Sequence, residues 1–266
     1  MRGVKVFLVM AVVVLFAVPA CAHHRGAQVE VEIVPDKGEL FTTVPFKKYY
    51  SGTTHIIKKY LEARKGEHYS ILIRNTIAER IGIVVAVDGR NIISGKKSYL
   101  GNNEAMYIVG PYEEVKLEGW RTDQDTVHKF YFTDIQDSYS VRTFGDTSAM
   151  GVITVAVFRE KERPMIFHDR TLREKAPAPS SGESSARAGK YQEDSAGTGF
   201  GDRRYSPTVR VAFEPELTPA EKIFVKYEWR HVLCRKGILN CGQEDRNRLW
   251  DEHGYAPFSP GYRARR

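Results

Sequence analysis

From Gln28 to Lys161 apolar and polar residues alternate with a period of two, the spacing of side chains on a half-buried strand. "SILIRNT" sets Ile71 and Ile73 against Leu72 and Arg74, and "EEVKLEG" sets Val115 and Leu117 against Glu114, Lys116 and Glu118. "HKFYFTD" sets Phe130 and Phe132 against Lys129, Tyr131 and Thr133, while "GVITVAVFRE" places Ile153, Val155 and Val157 opposite Val152, Thr154, Ala156 and Phe158. The pattern predicts strands near 28–34, 69–76, 80–87, 90–94, 105–109, 112–119, 128–133, 139–143 and 151–158. Asp88-Gly89 is a hairpin pair, because both central residues of a type I′ turn need positive φ. "ISGKKS", "LGNN" and "VGPYE" mark further reversals. Short alternating runs between frequent turns predict an all-β fold, an antiparallel β-sandwich. Thr54 to Arg64 has helix-like spacing, although its β-branched residues suit a strand as well.

Composition then divides the chain into a signal peptide (1–22), the sandwich (23–165), a flexible linker (172–203) and a C-terminal unit (204–266). Between Lys175 and Arg204 the large hydrophobes are Tyr191 and Phe200, too few to offset the entropy of ordering. "GTGFG" lies in this stretch without a preceding strand or a Lys-Ser/Thr pair, so it reads as a flexible loop and not a phosphate loop. "TVRVAFEPE" and "EKIFVKYEWR" alternate again, and Pro215 and Pro219 forbid a continuous helix across their join. They predict a C-terminal hairpin, which must dock on the sandwich because isolated hairpins are marginal in water. Thr218-Pro-Ala-Glu221 also resembles a capping box, and a helix starting there is the alternative. Asp245 to His253 reads as a short C-terminal helix.

The N-terminus bears on location. Arg2 and Lys5 precede an uncharged apolar run of 15 residues, Val6 to Ala20. A spanning helix needs about 20, whereas a signal-peptide core is this short. Ala20-Cys21-Ala22 fits ordinary signal cleavage, with His23 as the first mature residue. Val18-Pro19-Ala20-Cys21 fits a bacterial lipobox in which Cys21 is acylated, and a cysteine directly after a small residue favours this form. Ala22 then matches outer-membrane sorting, so the expected location is the cell envelope: an outer-membrane lipoprotein facing the periplasm, or a protein secreted to the periplasm. Loss of Arg2 and Lys5 leaves 38 basic and 33 acidic side chains, a mild excess of +5 without the dense Lys/Arg runs of a nucleic-acid footprint.

The middle of the chain resembles a family of uncharacterised bacterial envelope proteins, many of them predicted lipoproteins. The likeness is carried by "VAVDGRNIISGKKS", "MYIVGPYE", "LEGWRT", "FYFTD" and "GDTSAMGVITVAVF", with "GTGFG" and "KYEWRHVLCRKGI" further on. It covers most of residues 65–240 and implies a secreted β-rich protein. The family has no established activity, so no functional residue carries over.

Candidate chemistry is sparse. The eight histidines show no metal-binding spacing. Asp123, Asp125, Asp134 and Asp137 supply calcium-type oxygens without the twelve-residue loop pattern, and Asp in turns is ordinary. Ser148 lacks a nucleophile-elbow context, and Asp146 and His128 would meet it only through folding. No catalytic residue, metal or cofactor is expected. Of the aromatics flanked by Gly, Asp or Arg, Trp120, Tyr112 and Tyr131 are the candidate ligand-binding residues, as exposed rings on a sheet stack on sugars or receive a partner segment. Cys234 and Cys241 in "CRKGILNC" have turn residues between them and are expected to bridge in an oxidising compartment, leaving Cys21 for acylation or removal. The functional expectation is a non-enzymatic envelope module binding a protein or glycan. A hydrolase acting on envelope polymers is the alternative.

Overall fold

The computed structural model describes residues 27–161 and 195–241. Two seven-stranded sheets face one another as an all-β sandwich. The first is built on β1 (Val29–Pro35), β4 (His68–Asn75), β10 (Thr126–Asp134) and β12 (Ala196–Thr198). Also in it are β8 (Glu114–Leu117) on β4, and both β9 (Gly119–Arg121) and β13 (Arg203–Tyr205) on β10. The second runs β2 (Thr43–Ser51), β3 (Thr54–Ala63), β14 (Glu221–Trp229), β11 (Val152–Arg159), β5 (Ile81–Val87) and β6 (Arg90–Asn91), with β7 (Tyr107–Val109) also on β5. Every pairing is antiparallel except β3 with β14, which run parallel.

Period-two alternation sends one face of each strand inward. Ile71, Ile73, Phe130 and Phe132 from the first sheet meet Ile57, Leu61, Ile153, Val155, Ile223 and Val225 from the second in one continuous core. The Asp88-Gly89 turn forms as expected, with φ of 49° and 75°. Thr54 to Ala63 is a strand, which settles the Thr54–Arg64 ambiguity.

Several expectations need correction. "TVRVAFEPE" and "EKIFVKYEWR" do not pair with each other. β14 lies inside the second sheet between β3 and β11, while residues 206–214 form an extended strap whose Val209 is 81% exposed. Alternation alone does not name a partner, and β14 buries more apolar surface between two long strands than against a single short one. Residues 139–143 are helical, not a strand: Ser138 caps α1 (Tyr139–Phe144) by accepting the Val141 N–H, and Gly145 closes it at φ 62°. Within the stretch read as linker, Ala196–Thr198 is a buried strand of the first sheet. The rest of that stretch up to Asp194 lies outside the described residues. So do the signal segment with Cys21 and the 245–253 helix. A different short helix, α2 (Arg230–Arg235), follows β14 directly. Its Cys234 stands at disulfide distance from Cys241, with Cα atoms 5.5 Å apart.

Candidate functional site

The most perturbed groups meet between the sheets. Asp88 is 1% exposed at the β5–β6 turn, and its carboxylate accepts three hydrogen bonds. Oδ1 takes the Gly151 N–H at 2.7 Å and the Tyr227 hydroxyl at 2.6 Å, and Oδ2 takes the Thr198 N–H at 2.7 Å. A carboxylate accepts only, so Tyr227 donates to it. Thr198 Oγ1, 2.7 Å from the Tyr227 oxygen, then donates to Tyr227, and Tyr69 at 2.8 Å donates to Thr198. The relay Tyr69–Thr198–Tyr227–Asp88 thereby ties β4, β12 and β14 to the end of β5. Burial raises the Asp88 carboxyl to about 6 against the pull of its three donors, and burial raises both tyrosines. Sealed from solvent, these groups cannot touch a substrate; their chemistry is that of a polar clamp.

A second buried carboxyl closes one end of the sandwich. Glu221 Oε2 accepts the N–H groups of Gln28 (2.8 Å) and Val29 (3.3 Å), and Oε1 lies 3.1 Å from His55 Nδ1. Burial raises its pKa against these partners. It fastens the first residues of β1 to β14 and β3.

Glycines explain how the "GTGFG" stretch enters the fold. A Cβ on Gly199 would lie 2.2 Å from the Tyr131 ring, so only glycine lets this backbone rest on that ring. The Gly199 carbonyl accepts the Trp120 indole N–H at 2.9 Å, and Phe200 stacks on His128 with centroids 4.1 Å apart. The stretch is packed into the fold and is not a phosphate loop.

An open cleft of about 1040 Å³ lies between the β7 edge of the second sheet and the β8–β9 edge of the first. Ser206 to Val211, Phe213 and Pro215 border it. Arg121 fixes one end of this strap: Nη1 donates to the Ser206 carbonyl at 2.9 Å and Nη2 to Ser206 Oγ at 3.1 Å, while Nε donates to Tyr107 Oη at 2.8 Å. At the other end the Lys161 N–H donates to the Glu214 carbonyl and the Glu216 N–H to the Arg159 carbonyl. Val115, Leu117, Met106 and Val211 give the cleft an aliphatic lining, with Lys116, Glu118 and Arg210 among the charges.

The three aromatic candidates do not come together. Trp120 is 2% exposed, packed on Phe130 and Tyr139 with its N–H satisfied, so it offers no ring to a ligand. Trp120 faces His128 across the β9–β10 pair, and Tyr131, three residues on, leaves β10 on the opposite face, beside His68. Tyr112 is 68% exposed in a turn at φ 57°. Nor does a hydrolytic triad assemble: His128 Nδ1 is engaged with the Gly201 carbonyl, and Asp146 pairs with Arg90 at 2.7 Å. Among the described residues no three His, Cys, Asp or Glu side chains converge as metal ligands, and no helix is long and apolar enough to cross a membrane.

The sequence reading missed Asp88 as a hub because Asp-Gly is fully explained as a turn. Arg121 stands in "LEGWRT", where nothing local reveals that its partner is Ser206. Comparison with protein-family models, curated proteins and solved structures returns no match.

Proposed function

We propose that this chain is a non-enzymatic binding module of the bacterial cell envelope, exported by its N-terminal segment, whose cleft beside the 206–215 strap holds an extended segment of a partner protein. The observation that carries this reading is the separation of chemistry from access. The groups with shifted proton affinity, Asp88, Tyr69, Tyr227 and Glu221, are buried and serve the fold. The accessible cleft holds aliphatic and charged side chains beside the edges of β7 and β8, the kind of surface that accepts an extended peptide. A glycan would call for exposed rings in the cleft, whereas Trp120 is sealed and the exposed Tyr112 stands outside the lining. Tyr107 lines the cleft with its hydroxyl already held by Arg121. The Cys234–Cys241 pair suits an oxidising compartment.

The test is capture from an envelope extract by the immobilised full chain, beside Val211→Asp and Lys116→Glu, two substitutions in the cleft lining that leave the core intact. One stoichiometric protein retained by the wild type and lost by both variants supports the reading. Equal recovery by the variants overturns it, and turnover of an envelope polymer by the purified chain would establish the hydrolase instead.

A further inference from the structure

The outer face of the second sheet carries a feature that the cleft does not use. Strand register puts Lys47, Lys58, Phe224 and Thr154 in one row across β2, β3, β14 and β11, and Tyr49, Ile56, Lys222 and Ala156 in the next. Over the β5–β11 half this face is covered: Leu100 and Met106 pack on Val84, Ala156 and Phe158, and Phe213 sits over Gly82. Over the β2–β3–β14 half, the described residues cover only the far end, where Arg230 and Lys236 at α2 hold the buried Glu62 and Glu228; around Lys47, Tyr49, Lys58 and Lys222 they place no such cover.

Lys47 and Lys58 lie directly opposite across the β2–β3 pair, an arrangement that costs stability through like-charge repulsion. Both ammonium groups sit over the Tyr49 ring, at 5.3 and 5.8 Å, and Lys58 also lies 5.8 Å from the Phe224 ring. Among the described residues no carboxylate pairs with Lys47, Lys58 or Lys222. Phe46, 57% exposed, packs edge-on against Tyr60 beside them.

Edge protection accounts for part of this. Pro45, the register shift after it, Lys47 and Lys48 all blunt strand addition along β2. It does not account for Lys58 and Lys222, which stand on interior strands. Nor do the chain's remaining segments offer a counter-charge: residues 162–194 hold six acidic and six basic side chains, and residues 242–266 hold four and five.

We infer that this lysine–aromatic face rests on an anionic bilayer, its ammonium groups on lipid phosphates and its rings at headgroup level. Lysines bound to phosphate with Tyr and Phe alongside are the side chains that an interface accepts. The chain's entry point agrees, on the reading that Cys21 is acylated. Gln28 is fastened by Glu221, Glu221 contacts His55, and Tyr50 stacks on His55 at 4.8 Å, so the chain enters at the β2–β3 turn end of the sheet, on the side opposite the lysine rows. The seven residues from Cys21 to Gln28 reach at most about 25 Å, which would hold that end beside the membrane.

The experiment is co-sedimentation of the full chain with phosphatidylcholine vesicles with and without phosphatidylglycerol. The apolar run Val6 to Ala20 acts on both vesicle types, so the ratio of affinities reads the charged face. The expected ratio is on the order of tenfold in favour of the anionic vesicles and falls with salt. Lys47→Glu/Lys58→Glu/Lys222→Glu should bring it close to one with an unchanged melting temperature. Lys37→Glu/Lys96→Glu/Lys161→Glu, with the same net change elsewhere, should keep it. Cys21→Ser should also keep it, so failure of the acylation reading and failure of the face are told apart. No anionic preference, its survival in the first triple variant, equal loss in the second, or tighter binding to polyglutamate than to vesicles would overturn the proposal.

Discussion

The two halves of the second sheet's outer face are built from the same kind of ladder and end differently. Around β5 and β11, Val84, Ala156 and Phe158 are completely buried. Around β2 and β3, Lys47, Tyr49, Lys58 and Tyr60 remain in reach of solvent. The difference is written in the strands. "IGIVVAV" is apolar on both faces, as a strand covered on both sides must be, whereas "THIIKKYLEA" sets Ile57, Leu61 and Ala63 on the core and mixes Ile56 and Tyr60 with Lys58 and Glu62 on the other face. The loop holding Leu100 and Met106 and the strap holding Phe213 therefore cover the half that requires it. The other half has the composition of a surface that meets something charged.

The largest effect should come from breaking the covered half. Phe158→Ala removes a fully buried ring and should cost about 3–5 kcal/mol in chemical denaturation.

Next is the carboxyl at the end of β5. Folded Asp88 keeps its proton up to about pH 6, whereas the unfolded group releases it near 3.8. Between these values the folded state binds more protons, so stability rises as pH falls from about 6 towards 4, by up to about 3 kcal/mol from this group. Glu221 is raised by burial and acts in the same direction. Asp36 and Asp146 run the other way, burial being outweighed by Lys129 for one and by Ser148 and Arg90 for the other, and they lose stabilisation only on further acidification. Asp88→Asn should flatten the slope between pH 6 and 4 in denaturation curves.

Arg121→Ala releases the strap that carries Phe213 onto β5 and should cost about 2 kcal/mol, with faster hydrogen exchange at Ser206 and Thr208. The smallest effect belongs to the bare half. Lys47→Glu relieves the facing lysines and should change stability by no more than about 0.5 kcal/mol, towards greater stability. A face kept for packing would show a loss instead.

Much of the ladder was legible from alternation: β1, β4 to β8, β10, β11 and the Asp88-Gly89 turn follow from local pattern, whereas β9 does not. What was not legible depends on distance along the chain. β2 reads as a polar segment because an edge strand with Pro45 and exposed lysines buries little, and its pairing with β3 supplies what its composition does not. Ala196–Thr198 reads as linker because its packing partners are Ser138 and Met150 beside Gly197 and the Asp88 carboxylate, more than forty and one hundred residues away. The hairpin expected at 209–229 failed for the same reason, since the partners of β14 are β3 and β11. Of the aromatic candidates, Trp120 has polar neighbours in sequence while its own ring is buried in the core.

The most direct test of the contrast between the two halves is hydrogen exchange of the full chain with and without vesicles containing phosphatidylglycerol. The account predicts slowed exchange across residues 43–60 and unchanged exchange across residues 97–106 and 206–215. Unchanged exchange across 43–60 with protection at the strap would contradict it.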